Sequence, residues 1–441
     1  MSFYTAHQHN RYEFLWIILI ILFIITPSNH VAAKEASDSV ATRSSFFLKL
    51  SGEGEKLNIQ TSILNPSNII GLYENRIESY MLTGCNLKML GGNTEVEMRL
   101  GYQNLTGDQD NSFSKRNYNN QINKLFYQFA SGPISISAGR NKIRWGVGYS
   151  YSPTDLITQF KTPQDPDDRL CLNKGNDLIQ LSYIHSSGQL DLVYIPNVSS
   201  DYSMDLIKNY RVGMRLYQYI DPFDLSLVGK IENDCKYSIG SNASVTIGNS
   251  LELHAEYLYQ SYNNRLYPNP DIAPDQPFYP YFIQNNKVVH DAVFGGQYTF
   301  NNKINLTIEY LYNSLGYTSA QFNSYTDRLI YLNNQLLSSP QVALTGLSET
   351  AANYNIPMSR DHLFARLYHP EIIKALSIES YFLFSLNDKS GFIVVSPKYE
   401  SSSQSQIYLR LQKFWGNRHS ELGMIPNSLS AILGITFFIT K

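Results

Sequence analysis

The 441 residues are 43% hydrophobic, 13% aromatic and only 16% charged, and tyrosine alone contributes 33. Soluble domains carry about a quarter charged residues, and a helical membrane protein would have a mean hydropathy well above the −0.26 found here. A formal net charge of −2 points to neither nucleic acid nor a strongly anionic partner.

The one continuous apolar run is Phe14 to Thr26. Arg11 precedes it, Pro27 ends it, and Val31-Ala32-Ala33 follows as a small-residue cleavage site. That pattern predicts a signal peptide over residues 1–33 and a short N-terminal lead over 34–45, with no room for a plug domain. The remainder, 46–441, shows no convincing helical period.

Instead, alternating segments recur between turn residues. Thr94 to Gln103 is the cleanest. Val96, Met98, Leu100 and Tyr102 share one face, and Glu95, Glu97, Arg99 and Gln103 share the other. Gln121 to Ala130 follows, with Leu125, Tyr127 and Phe129 on its apolar face. Further segments extend to Leu429–Thr440, giving about eighteen strands, an even number within the range of membrane barrels. Short connections such as Gly91-Gly92-Asn93, Ser131-Gly132-Pro133 and Ser187-Gly188 alternate with long ones such as 146–176, 261–290 and 314–360. Outer-membrane barrels keep this rhythm because one rim carries tight turns and the other carries loops.

The stretch Gly139-Arg140-Asn141-Lys142-Ile143-Arg144-Trp145-Gly146-Val147-Gly148-Tyr149 reads as a long, bent strand. Arg140, Lys142 and Arg144 would face a watery lumen, Ile143 lipid, and Trp145 the interfacial aromatic girdle. Ile134, Ile136 and Ala138 share parity with Arg140, so the reading needs a one-residue shift near Gly139, where a bulge is tolerated. With Pro153-Thr154-Asp155-Leu156 behind it, the run resembles a segment of porin-like outer-membrane β-barrels of Gram-negative bacteria. That group includes relatives of polysaccharide-export and capsule-assembly barrels. The resemblance implies a barrel in contact with outer-membrane lipid, with a small hydrophilic solute or a polysaccharide as its cargo. The last strand resembles the C-terminal recognition strand of outer-membrane proteins, except that it ends on Lys441 rather than an aromatic.

The candidate pathway residues are the charges of lumen parity: Glu95, Glu97, Arg99, Arg140, Lys142, Arg144, Arg215, Arg366 and Arg410. They either line a hydrophilic passage or pair across neighbouring strands and fill it. The loop from Ser152 to Asn173 is expected to fold inward as a constriction. Its Asp165-Pro166-Asp167-Asp168 cluster lacks the spacing of a calcium loop. No Gly-x-Ser-x-Gly and no Cys-x-x-Cys, phosphate or metal motif occurs, so neither catalysis nor a cofactor or metal is expected. Cys85, Cys171 and Cys235 are an odd set, and their pairing stays open. The sequence therefore defines an all-β, transmembrane antiparallel up-and-down β-barrel without a plug. Two functions fit it: a porin-like channel, or a non-conducting surface protein that binds or assembles exported polysaccharide.

Overall fold

The computed structural model describes residues 44–68, 71–107, 114–158, 161–196, 210–234, 236–276, 279, 281–284, 288–354 and 356–440. The expected signal peptide of residues 1–33, and the lead as far as residue 43, lie outside them. The barrel begins with β1 (Ser45–Ile59), β2 (Asn75–Met89), β3 (Gly92–Thr106), β4 (Ser114–Ser131), β5 (Ile134–Asn141) and β6 (Asn176–His185). It continues through β7 (Gly188–Ile195), β8 (Arg211–Ile220), β9 (Phe223–Glu232), β10 (Lys236–Ile247) and β11 (Leu251–Gln260). The short pair β12 (Leu266–Pro268) and β13 (Tyr281–Ile283) stands apart in a loop. The ring resumes with β14 (Val289–Thr299), β15 (Asn305–Asn313), β16 (Asp361–Ile373), β17 (Leu376–Ser385), β18 (Gly391–Ser402), β19 (Ser405–Trp415) and β20 (Asn427–Thr440). These 18 strands form one antiparallel sheet. β11 pairs with β14, and β1 pairs with β20, which closes the ring.

Alternation explains why the sheet closes. On β3, Arg99 is 0% exposed whereas its neighbour Leu100 is 36% exposed on the outer face. On β20, Leu433 is 61% exposed and Ile432 is 3% exposed. Leu429, Ile435, Phe437 and Ile439 continue the same outward row. A belt of exposed aliphatic and aromatic side chains on the outer face is stable only with acyl chains around it. A slip of one residue would turn Glu95, Glu97 and Arg99 into that belt, which fixes the register. The turn between β2 and β3 puts Leu90 at φ 52 and Gly91 at φ 75. Two successive positive φ values match the right-handed strand twist, and Gly91 takes its value at no steric cost.

Two features differ from the sequence reading. First, β5 stops at Asn141 instead of running to Tyr149. Its register with β4 is unbroken from Ser131↔Ile134 to Leu125↔Arg140, so there is no shift at Gly139. The irregularity sits one strand earlier, where Glu97 pairs with Lys124 and Met98 with Ile122, leaving Asn123 extra. Second, the connection 314–360 is not plain loop. It holds α1 (Ser319–Gln335) and α2 (Pro340–Ala352). A capping box of Thr318 and Gln321 starts α1, and Pro340 opens α2 where its missing N–H costs nothing.

The helices build a small apolar core on the rim of long loops. Tyr325, Leu329 and Leu332 of α1 and Leu347 of α2 pack with Leu64, Tyr267, Met358 and Met424. α1 has 17 residues, about 25 Å of helix. Asn333 near its end donates to the Ile63 carbonyl, so α1 bridges the loops that leave β15 and β1. Among the described residues Cys85 and Cys171 are free thiols; Cys235 lies outside them.

Candidate functional site: the lumen and its inward loop

After β5 the chain turns into the barrel, and residues 142–158 and 161–175 run along its interior. Two strand carboxylates hold the first half by its backbone. Glu256 of β11 accepts from the Val147 and Gly148 amides on Oε1, and from the Thr154 amide (3.0 Å) and hydroxyl (2.7 Å) on Oε2. Glu309 of β15 accepts from the Tyr149 and Ser150 amides and the Ser150 hydroxyl, and it meets His254 Nε2 at 2.8 Å. A loop drawn into a lumen must satisfy its N–H groups, and these carboxylates do so. Asn242 of β10 donates to the Trp145 carbonyl at 2.9 Å, and Asp155 accepts the Trp145 and Gly146 amides, each at 2.7 Å. A Cβ on Gly148 would lie 2.1 Å from the Tyr151 carbonyl oxygen, so this turn tolerates only glycine there.

The same segment buries an apolar underside. Ile143, Trp145, Leu156 and Ile157 pack on Leu178, Val193, Ile195, Val228 and Leu258, all from the inner wall. This corrects the expectation that Ile143 meets lipid and Trp145 joins the girdle; Trp145 is 3% exposed, inside the barrel. The reason is that the inner wall of β6 to β11 is itself apolar at this level. Burying that patch under the loop removes it from lumen water.

The return half is tied to the opposite wall. The Gln164 carbonyl accepts from Tyr381 and Arg410, and Arg169 meets Glu53 at 3.1 Å. The Leu170 carbonyl accepts from Arg99 Nε at 2.7 Å. Asn123, the bulge residue, donates to the Cys171 carbonyl and accepts the Gly175 amide. An extra residue on β4 thus lets Asn123 and Lys124 both turn inward.

The candidate charges fall into three groups. Glu95, Glu97, Arg99, Lys142, Arg215, Arg366 and Arg410 do face the lumen, and each has an oppositely charged partner. The pairs are Lys124–Glu95 (2.7 Å), Lys142–Glu97 (3.0 Å), Arg99–Glu78 (2.8 Å), Arg215–Asp191 (2.8 Å), Arg366–Glu379 (2.5 Å) and Arg410–Asp165 (3.7 Å). Arg140 does not belong with them. It sits opposite Leu125, which shares a face with Tyr127 and Phe129, so it lies on the outward parity and pairs there with Asp177 at 2.7 Å. Arg144 is exposed on the inward loop, and its guanidinium donates to the Gly148 carbonyl at 2.8 Å. Among the described residues it is the one of the nine with no ion pair. Sequence reading missed Glu53, Glu55 and Arg76, whose ring of contacts at 2.6 and 2.7 Å adjoins Glu78. Their alternation on β1 and β2 carried the signal.

Outside the membrane span, Glu421 latches the helical cap. It is fully buried in the β19–β20 loop and accepts from the Met358 amide (2.7 Å), the Ser359 amide (3.0 Å) and His362 Nε2 (3.2 Å). Burial alone pushes its carboxyl upward, but the His362 hydrogen bond and charge outweigh burial and hold it below the usual range. A depressed carboxylate stabilises the fold fully above its unfolded value of about 4.3, and that contribution is lost as pH falls through the folded value. Protease cleavage between α1 and α2 should therefore accelerate as pH falls below about 4. A cleavage rate equal at pH 3.5 and pH 7 would remove Glu421 from this role.

An apolar outer belt, a closed antiparallel ring and a lumen of paired charges define a transmembrane barrel of the outer membrane. No family model and no curated protein matches the sequence. The fold resembles solved structures at low identity. Acinetobacter baumannii OccAB1 is 9% identical, with a TM-score of 0.55 over 90% of this chain and 96% of that one. Pseudomonas aeruginosa OccK5 (OpdH) is 7% identical, with a TM-score of 0.53 over 90% and 98%. A variant of OccD1 (OprD) is 12% identical, with a TM-score of 0.50 over 92% and 98%. At these identities the likeness is one of fold.

Proposed function

We propose that the chain is a porin-like channel passing small hydrophilic solutes across the outer membrane, secreted behind a signal peptide of residues 1–33. One observation carries the reading. The inward loop is pinned to facing walls of the lumen and displays Arg144, while wall charges such as Arg215 and Asp191 pair with one another. A loop held this way narrows a passage, and Arg144 on it is placed to bias what enters.

The test is planar-bilayer conductance of the wild type and of Arg144→Glu. Reversing one charge near a permeating ion changes its energy by about 1 kcal/mol even at the dielectric of water. The anion-to-cation permeability ratio should accordingly fall by roughly fivefold or more. Step-like openings whose reversal potential ignores the substitution would remove Arg144 from the pathway. The helical cap on the long-loop rim favours a second reading, a non-conducting surface protein that binds exported polysaccharide. That reading predicts no openings and retained polysaccharide binding.

A further inference from the structure

Between α1 and the loops that follow β17 and β19 lies a cavity of about 680 Å³ on the long-loop rim. Its size is within the range of small-molecule sites, about 300–1,000 Å³. The floor is rigid: Asp388 accepts from the Glu421 amide and from Ser390, and the Ser420 hydroxyl donates to the Asn417 carbonyl. The rim is chemically unspent. Asn323 and Asp327 of α1, Arg360, Asn417 and His419 all line the cavity. Among the described residues, the Asn323 amide, the Asp327 carboxylate, the Arg360 Nη atoms, the Asn417 Nδ2 and the His419 ring make no hydrogen bond or ion pair within the protein. Phe322 adds a half-buried aromatic ring.

We propose that this cavity binds a neutral sugar at the outer surface, ahead of the lumen. The proposal rests on the outer-membrane placement and not on conduction. On the rim one carboxylate, one guanidinium, one imidazole and two amides alternate acceptors with donors, and with Asp388 in the floor the lining carries a slight formal negative charge. A polyanion would need more cations, and an apolar ligand would leave these groups unpaired at a cost. Vicinal hydroxyls each donate and accept, which matches such a rim, and Phe322 offers a surface to the C–H face of a pyranose.

The experiment is saturation-transfer NMR and calorimetry with maltose on the full-length protein in a detergent without a sugar headgroup. The comparison is the double variant Asp327→Ala with Asn323→Ala. Both side chains are exposed and bond to nothing described, so folding should survive; heat-modifiable gel mobility checks it. Maltose should bind the wild type, and the double variant should bind it roughly tenfold more weakly or worse, the loss of two hydrogen bonds. Three results overturn the proposal: no maltose binding by folded protein, equal binding by the variant, or displacement of maltose by glycine, which would make the cavity a zwitterion site. The same preparations go into bilayers. Openings without maltose binding sink the sugar site alone, and maltose binding without openings sinks the channel reading alone.

Discussion

Glu256→Ala should raise single-channel conductance and lower the unfolding temperature together. Glu256 is 1% exposed and satisfies four donors of the inward loop. Truncation strands three amides and a hydroxyl in a site with little water, and each buried donor left unmade costs about 1–3 kcal/mol. The loop can avoid that cost by leaving the wall, which opens the lumen. Glu309 still holds Tyr149 and Ser150, so the release is partial rather than complete. Glu256→Gln should fall between, because an amide retains one acceptor but turns its NH₂ toward donors. Conductance recorded alongside thermal unfolding in micelles checks this. An alanine variant with wild-type conductance and melting would mean that the loop is held by Trp145 and its apolar underside instead.

The ring was legible because lipid and lumen write a period of two into every strand. Val96, Met98 and Leu100 against Glu95, Glu97 and Arg99 is the plainest case, and Leu429 to Ile439 repeats it at the other end. The inward loop was legible only in part. Arg140 kept the parity of Ile134 and Ile136, and taken at face value that parity gives its outward position; assuming a bulge at Gly139 discarded the information. Trp145 and Ile143 could not be placed from their own segment. An apolar residue bound for lipid and one bound for an apolar patch inside the lumen look alike until Leu178, Val193 and Val228 are assembled on one wall. The clamp was hidden by distance, since Glu256 and Glu309 lie more than a hundred residues from the amides they accept. The helices were not hidden in the same way. Thr318-Ser319-Ala320-Gln321 is a capping box written in sequence, four residues after a long connection opens at Ser314.

The second large effect is expected at Arg99, and here stability rather than conductance leads. Its guanidinium is 0% exposed and bonds in three directions: to Glu78 at 2.8 Å, to the Leu170 carbonyl at 2.7 Å and to the Asn119 carbonyl at 3.2 Å. It also lies over the Tyr80 ring at 5.0 Å. Removing one partner of a buried pair costs about 3–5 kcal/mol because the other charge stays behind. Glu78 keeps a contact to Arg76 at 2.9 Å, which places Arg99→Ala toward the lower end of that range. Arg99→Lys should rescue little. An ammonium can replace the charge, but it cannot reach Glu78, Leu170 and Asn119 with one planar fork. The exposed pair Lys303–Glu371, at 68% and 51% side-chain exposure, is the control, since solvent screens it and Lys303→Ala should leave unfolding unchanged. If Arg99→Ala and Lys303→Ala melt at the same temperature as the wild type, Arg99 does not hold the return half of the loop. The anchor would then have to be sought at Arg169 and Glu53.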